Sequence, residues 1–161
     1  MDAGWIWIPG KVARGYRVAS APSRDYPYGT LERQRPIFKS LGLDLDACFN
    51  GTLNVDIHPL TFSVLRPQYT FERVAWTDLH PPETFSFSRC LVHYKGLDYD
   101  GWAYYPHPET KERHFQNPSL LEVIALPIPD IQYGDAVKLR INSGEIEIST
   151  LNGVPNSAAN S

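Results

Sequence analysis

Two cysteines in 161 residues, Cys48 and Cys90, are too few for a disulfide framework, and each stands among apolar neighbours, which predicts reduced core thiols. Neither a Cys-x-x-Cys pair nor a histidine-rich spacing occurs, which argues against a zinc site. Also lacking is any stretch near the roughly 20 apolar residues of a membrane span. The run Trp5-Ile6-Trp7-Ile8 stops at Pro9-Gly10, short of a signal-peptide core and without its basic leader. These absences predict a soluble, cytoplasmic protein with no membrane partner. In that setting Asn50-Gly51-Thr52 reads as a turn and not as a glycosylation site.

Helix signals are scarce, because 14 prolines are scattered along the chain. One helix is expected, with Pro36 in its first turn, an apolar stripe of Ile37, Phe38 and Leu41, and Gly42 as its stop. What is present instead is a series of short aromatic and β-branched runs bounded by Gly, Pro, Asn or Asp. Strands are predicted over 5–8, 12–20, 52–57, 62–65, 85–94, 101–105, 120–126, 136–141 and 145–149. Asp100-Gly101 and Asn142-Ser143-Gly144 read as hairpin turns. The pattern predicts an all-β chain with minor α content, a sandwich or small closed barrel. Residues 1–151 are expected to form one domain and 152–161 a disordered tail with nothing to bury.

Net charge is −3, but residues 1–40 carry a local +4 through Lys11, Arg14, Arg17, Arg24, Arg33, Arg35 and Lys39. Such asymmetry suits an anionic partner, unless these charges merely solubilise loops. Duplex DNA calls for a larger basic footprint, so phosphate on a small molecule is the better match and no nucleic-acid partner is expected.

The most informative stretch is Asn50-Gly51-Thr52-Leu53-Asn54-Val55-Asp56-Ile57. Alternation along a strand sends Leu53, Val55 and Ile57 to a core and places Thr52, Asn54 and Asp56 together on the other face. A hydroxyl, an amide carbonyl and a carboxylate are hard oxygen donors of the kind Mg²⁺ takes, although a polar face is also what simple solvation produces. A second feature is Leu120-Leu121-Glu122-Val123-Ile124-Ala125-Leu126, apolar on both faces with one carboxylate inside. Burying Glu122 demands a donor, a cation, a ligand or an opening to water, and a structural salt bridge would serve as well as a ligand. Tyr94, Tyr99, Trp102, Tyr104 and Tyr105 gather around a predicted hairpin, where they either pack across strands or offer flat rings to a ligand.

Phe49-Asn50-Gly51-Thr52-Leu53-Asn54-Val55, with Ile37-Phe38-Lys39-Ser40-Leu41-Gly42 before it and Leu121-Glu122-Val123-Ile124-Ala125 and Gly134-Asp135-Ala136-Val137 after it, resembles the archaeal-type CTP-dependent riboflavin kinases. The blocks keep their order over most of residues 11–148. The resemblance implies a compact six-stranded cradle-loop-type β-barrel with one or two short helices, moving a phosphate from CTP to riboflavin. It implies Mg²⁺ on Thr52 and Asn54, flavin at Glu122 and His114, and nucleotide at Arg14, Gly15, Tyr16 and Arg17 and along Pro127, Ile128 and Pro129. Asp56 is the candidate general base, since it shares a face with Asn54. The chain departs from the family at its early glycine-rich loop, where Ala13-Arg14-Gly15-Tyr16-Arg17 keeps one glycine and adds two arginines. It departs again at Asn50, where proline is usual, and at His114, where threonine is usual. Residues 23–33 resemble an insertion. The alternative expectation is a non-catalytic flavin- or nucleotide-binding barrel that has lost the phosphate loop. A third is a carbohydrate- or protein-interaction module built on the aromatic hairpin.

Overall fold

The computed structural model describes residues 4–13, 30–110 and 117–150. In chain order the elements are β1 (Trp5–Val12), α1 (Thr30–Ser40), β2 (Leu53–Asp56), β3 (Leu60–Val64), β4 (Tyr69–Val74), β5 (Glu83–Tyr94), β6 (Leu97–Pro106), β7 (Leu120–Ala125), β8 (Ala136–Asn142) and β9 (Ile146–Thr150), with a 3-10 turn at Pro108–Thr110. Strands β5, β6, β7, β2, β1 and β8 pair antiparallel in that order, and β8 returns to β5, so six strands close into a barrel. Closure removes the open edges that make an isolated sheet prone to aggregate. The all-β expectation with minor α content holds.

Alternation builds the interior. Ile6, Ile8 and Val12 of β1, Leu53 and Val55 of β2, Leu121, Val123 and Ala125 of β7, and Val137, Leu139 and Ile141 of β8 meet in one buried cluster. Strands β3 and β9 form a separate two-stranded sheet whose Leu60, Phe62, Ile146 and Ile148 join that cluster.

A second core lies on the outside of the barrel. Phe85 and Phe87 of β5, Tyr104 of β6 and Ile124 of β7 point outward and are covered by Leu31 and Phe38 of α1. Phe38 meets the rings of Phe85 and Phe87 edge-on at 5.1 and 5.0 Å. This is why 120–126 reads as apolar on both faces: Leu121 and Val123 fill the barrel while Ile124 sits under the helix.

Several expectations need correction. The helix starts at Thr30, so Pro36 lies inside it and not in its first turn. Its stop is as expected: Gly42 has φ +114°, its N–H bonds the Lys39 carbonyl, and the Leu43 N–H reaches back to Phe38, a Schellman closure. Trp5 to Val12 is one strand running through Pro9-Gly10 and not two strands with a turn between. β2 begins pairing with β1 only at Lys11, so at Pro9 one flank has no ladder bond to lose. At Gly10 a Cβ would run into Val55, so only glycine lets β2 approach.

Neither expected hairpin forms as expected. The β5–β6 turn is Lys95-Gly96, with φ +49° and +81°, the two left-handed residues of a type I′ turn. Asp100-Gly101 lies within β6, where Gly101 passes close to Ala125. Asn142-Ser143-Gly144 does turn the chain, but β8 and β9 do not pair with each other; β9 goes to β3. Strand β4, paired with the first half of β5, had no sequence expectation. Residues 14–20 of the expected second strand and the expected tail over 152–161 lie outside the described residues.

Candidate functional site

Leu53 and Val55 point into the barrel, which leaves Thr52, Asn54 and Asp56 on its other side. The Thr52 hydroxyl donates to Oδ1 of Asn54 at 3.3 Å, with Thr52 only 2% exposed and Asn54 half-buried. Two neighbouring ligands of an octahedral Mg²⁺ at about 2.1 Å stand about 3 Å apart, so these oxygens fit one ion with little adjustment. Among the described residues no group of three His, Cys, Asp or Glu side chains can hold a metal. The oxygens that Thr52 and Asn54 offer are a hydroxyl and an amide carbonyl.

Register brings the expected acid alongside. On β7, Glu122 stands directly opposite Asn54, and on its other side faces Tyr104 of β6. Opposite residues in an antiparallel pair hold their Cβ atoms about 5 Å apart. Glu122 is half-buried at the margin of the outer core, not enclosed in the barrel. Burial, then the charges of Glu122 and Glu83, push the Tyr104 phenol well above its usual range. Its hydroxyl donates to Oε1 of Gln34 on α1 at 2.8 Å, which ties the helix to this row. Nothing local in the sequence marks Gln34 or Tyr104, because their contact spans 70 positions.

Beside Thr52 opens a cavity of about 270 Å³ lined by Phe49, Leu53, Val123, Ala125, Ile128 and Gln132, among others. That is near the lower bound of ordinary ligand pockets, about 300 Å³. One wall is the loop after β7, so Ile128 falls where a ligand contact was expected, whereas Pro127 and Pro129 are exposed and do not line it. Asp135 braces this loop, its carboxylate accepting from the Tyr94 hydroxyl and, at 2.9 Å, from the Gln132 N–H. Those two bonds, Tyr94 first, hold the Asp135 carboxyl below its usual range, and the Tyr94 phenol is pushed up to about 12.

Asp56 does not join this group. Its Oδ1 accepts the His58 N–H at 2.9 Å, it stands opposite Lys11, and it lines a different hollow on the outer surface. Ala13 follows β1 directly, and its N–H bonds the Asn54 carbonyl at 2.8 Å, so β1 ends at the rim of the site. Arg14, Gly15, Tyr16, Arg17 and His114 lie outside the described residues.

The aromatic hairpin residues divide between two cores. Tyr94, Tyr99 and Tyr105 pack with the barrel interior, and Trp102 and Tyr104 with the outer cluster, so they form no single platform. One further constellation invites attention: Ser86 Oγ lies 2.7 Å from Nε2 of His107, whose Nδ1 is 3.1 Å from Glu109. The order is that of a nucleophile, base and carboxylate. Ser86 is 1% exposed, however, and the adjoining void holds about 10 Å³, room for one water and no substrate. The Thr70 hydroxyl, 2.9 Å from Ser86, makes it a structural chain between β4, β5 and the end of β6.

No protein-family model matches this sequence, and no curated protein is significantly similar to it. Among the described residues no helix is long and apolar enough to cross a membrane.

Proposed function

We propose that this barrel binds riboflavin and a nucleoside triphosphate, CTP by resemblance, and transfers a phosphate to the flavin with Mg²⁺ on Thr52 and Asn54. The observation that carries the reading is the cross-strand row: a hydroxyl and an amide oxygen 3.3 Å apart, with a carboxylate opposite the amide. In this reading the apolar cavity beside Thr52, whose lining includes neither Asn54 nor Glu122, takes a ring, and Glu122 accepts from flavin N–H or O–H groups outside it. Mg²⁺ bound there would neutralise phosphate oxygens, and Arg14 and Arg17, next in sequence after Ala13, would add charge. Catalysis would rest on positioning and charge neutralisation, with no general base assigned.

A second reading, ligand binding without turnover, is favoured by a different observation. Among the described residues no Lys, Arg or His lines the cavity, and Asp130 does, which suits an uncharged heteroaromatic molecule better than a triphosphate. One experiment separates the two: incubate the purified protein with riboflavin, Mg²⁺ and either CTP or ATP, and look for FMN by chromatography. FMN formation that is lost in Thr52→Ala supports transfer. Saturable riboflavin binding by calorimetry without product supports the second reading, and absence of both overturns the two together.

A further inference from the structure

The outer face of β1, β8 and the second half of β5 carries what neither core nor candidate site uses. Inward positions of these strands are apolar, so the outward ones collect Trp5, Trp7 and Lys11, then Lys138 and Arg140, then Arg89 and His93. The helix covers Phe85 and Phe87 farther back on β5 and leaves this part open. Register interleaves rings and charges: Trp7 faces Arg140, and His93 faces Lys138. The Arg140 guanidinium lies 5.8 Å from the ring centres of both Trp5 and Trp7, and Trp7, 37% exposed, meets the His93 ring edge-on.

Two hollows follow each other along this face. One of about 630 Å³ is bordered by Lys11, Lys95 and Lys138 with His58 and His93, and one of about 280 Å³ by Trp5, Arg89 and Arg140. Four carboxylates share the region: Asp56 and Asp100 at the hollows, Asp98, which is paired with His93 at 2.7 Å, and Asp135, which feels the charge of Lys95. The five Lys and Arg side chains still leave it cationic, although the whole chain carries −3.

We propose that this face is a binding track for single-stranded nucleic acid. From Arg89 to Tyr94 the strand covers about 16 Å, at roughly 3.3 Å per residue, which is farther than one phosphate can engage and suits a chain of them. Exposed indole beside guanidinium is a stacking platform for unpaired bases, each stacked base contributing about 1–3 kcal/mol, and a duplex would hide those bases. An acidic peptide would use the cations and leave Trp7 idle. The proposal departs from the expectation of no nucleic-acid partner, which rested on the footprint that duplex DNA needs; folding assembles these charges from three strands distant in sequence.

The test is fluorescence anisotropy of a labelled oligothymidylate of about 15 nucleotides with the full chain, from about 50 to 200 mM salt. Binding is expected with a log–log salt slope near −2, about 0.7 per phosphate for three contacts. Trp7→Ala should weaken it about 5-fold or more, and Lys138→Glu should weaken it and flatten the slope by about 0.7. Both side chains are exposed, so unchanged melting curves will show that the variants fold. No binding at the lowest salt, equal binding by both variants, or displacement by polyglutamate or inorganic phosphate as effectively as by unlabelled oligonucleotide would each overturn the proposal. Neither residue touches Thr52, Asn54 or Glu122, so failure here leaves the flavin reading standing.

Discussion

Thr52, Asn54 and Glu122 are each placed by a single physical rule, and that is why all three could be named from the chain. Period-2 alternation sets Leu53 inward and its neighbours outward, and a lone carboxylate in an apolar run must find a polar margin. Glu122→Gln keeps the shape and removes the charge; under the proposed flavin reading it is expected to weaken riboflavin binding about tenfold, the loss of one charged hydrogen bond, as read by calorimetry. The Tyr94–Asp135 bond sets a pH dependence. Asp135 is held below its ordinary 3.8, so its contribution is present above that value and lost as pH falls through the lowered one. The Tyr94 phenol is raised from 10.0 to about 12, so its contribution is present below 10 and lost as pH climbs through about 12. Tyr94→Phe should therefore lower the melting temperature most in the middle of the pH range, with the difference shrinking at both extremes. Burial pushes the Cys90 thiol up to about 12, and a thiol-specific reagent is expected to modify it only when the protein is unfolded.

Elements with strong local punctuation were legible, and those set by neighbours were not. Gly42 ended the helix as expected because a positive φ at C′ is a local demand of the chain. Gly42→Ala is expected to cost about 1 kcal/mol in chemical denaturation, the penalty of a side chain in that conformation. The helix start was misread because Pro36 suits a first turn by its own geometry, whereas outer-core burial of Leu31 extends α1 toward Thr30. Gly101 was read as a turn because Asp-Gly is a strong hairpin signal. The requirement that it meets is instead close passage of β7, where Ala125 Cβ would stand 3.1 Å from an added Cβ. Gly101→Ala is thus expected to destabilise by overpacking, about 1–3 kcal/mol, and to leave the Lys95-Gly96 turn intact.

Across the molecule, β5 binds two cores into one unit, since its first half faces α1 and its second half closes the barrel against β8. Phe38→Ala should cost about 3–5 kcal/mol, the range for emptying a buried aromatic site. It should do so in a single transition, seen alike by circular dichroism and tryptophan fluorescence, because neither core can open without β5. Everything that depends on alternation and turn chemistry was written along the chain: the strand-rich class, the inward row of Leu53, Val55 and Ile57, and the oxygen-bearing row beside it. Strand neighbours were not, since any inward apolar strand satisfies another equally well until loop lengths and closure choose. Only the assembled barrel put Glu122 opposite Asn54, moved Asp56 toward Lys11, and gathered Trp7, His93 and Lys138 on one face.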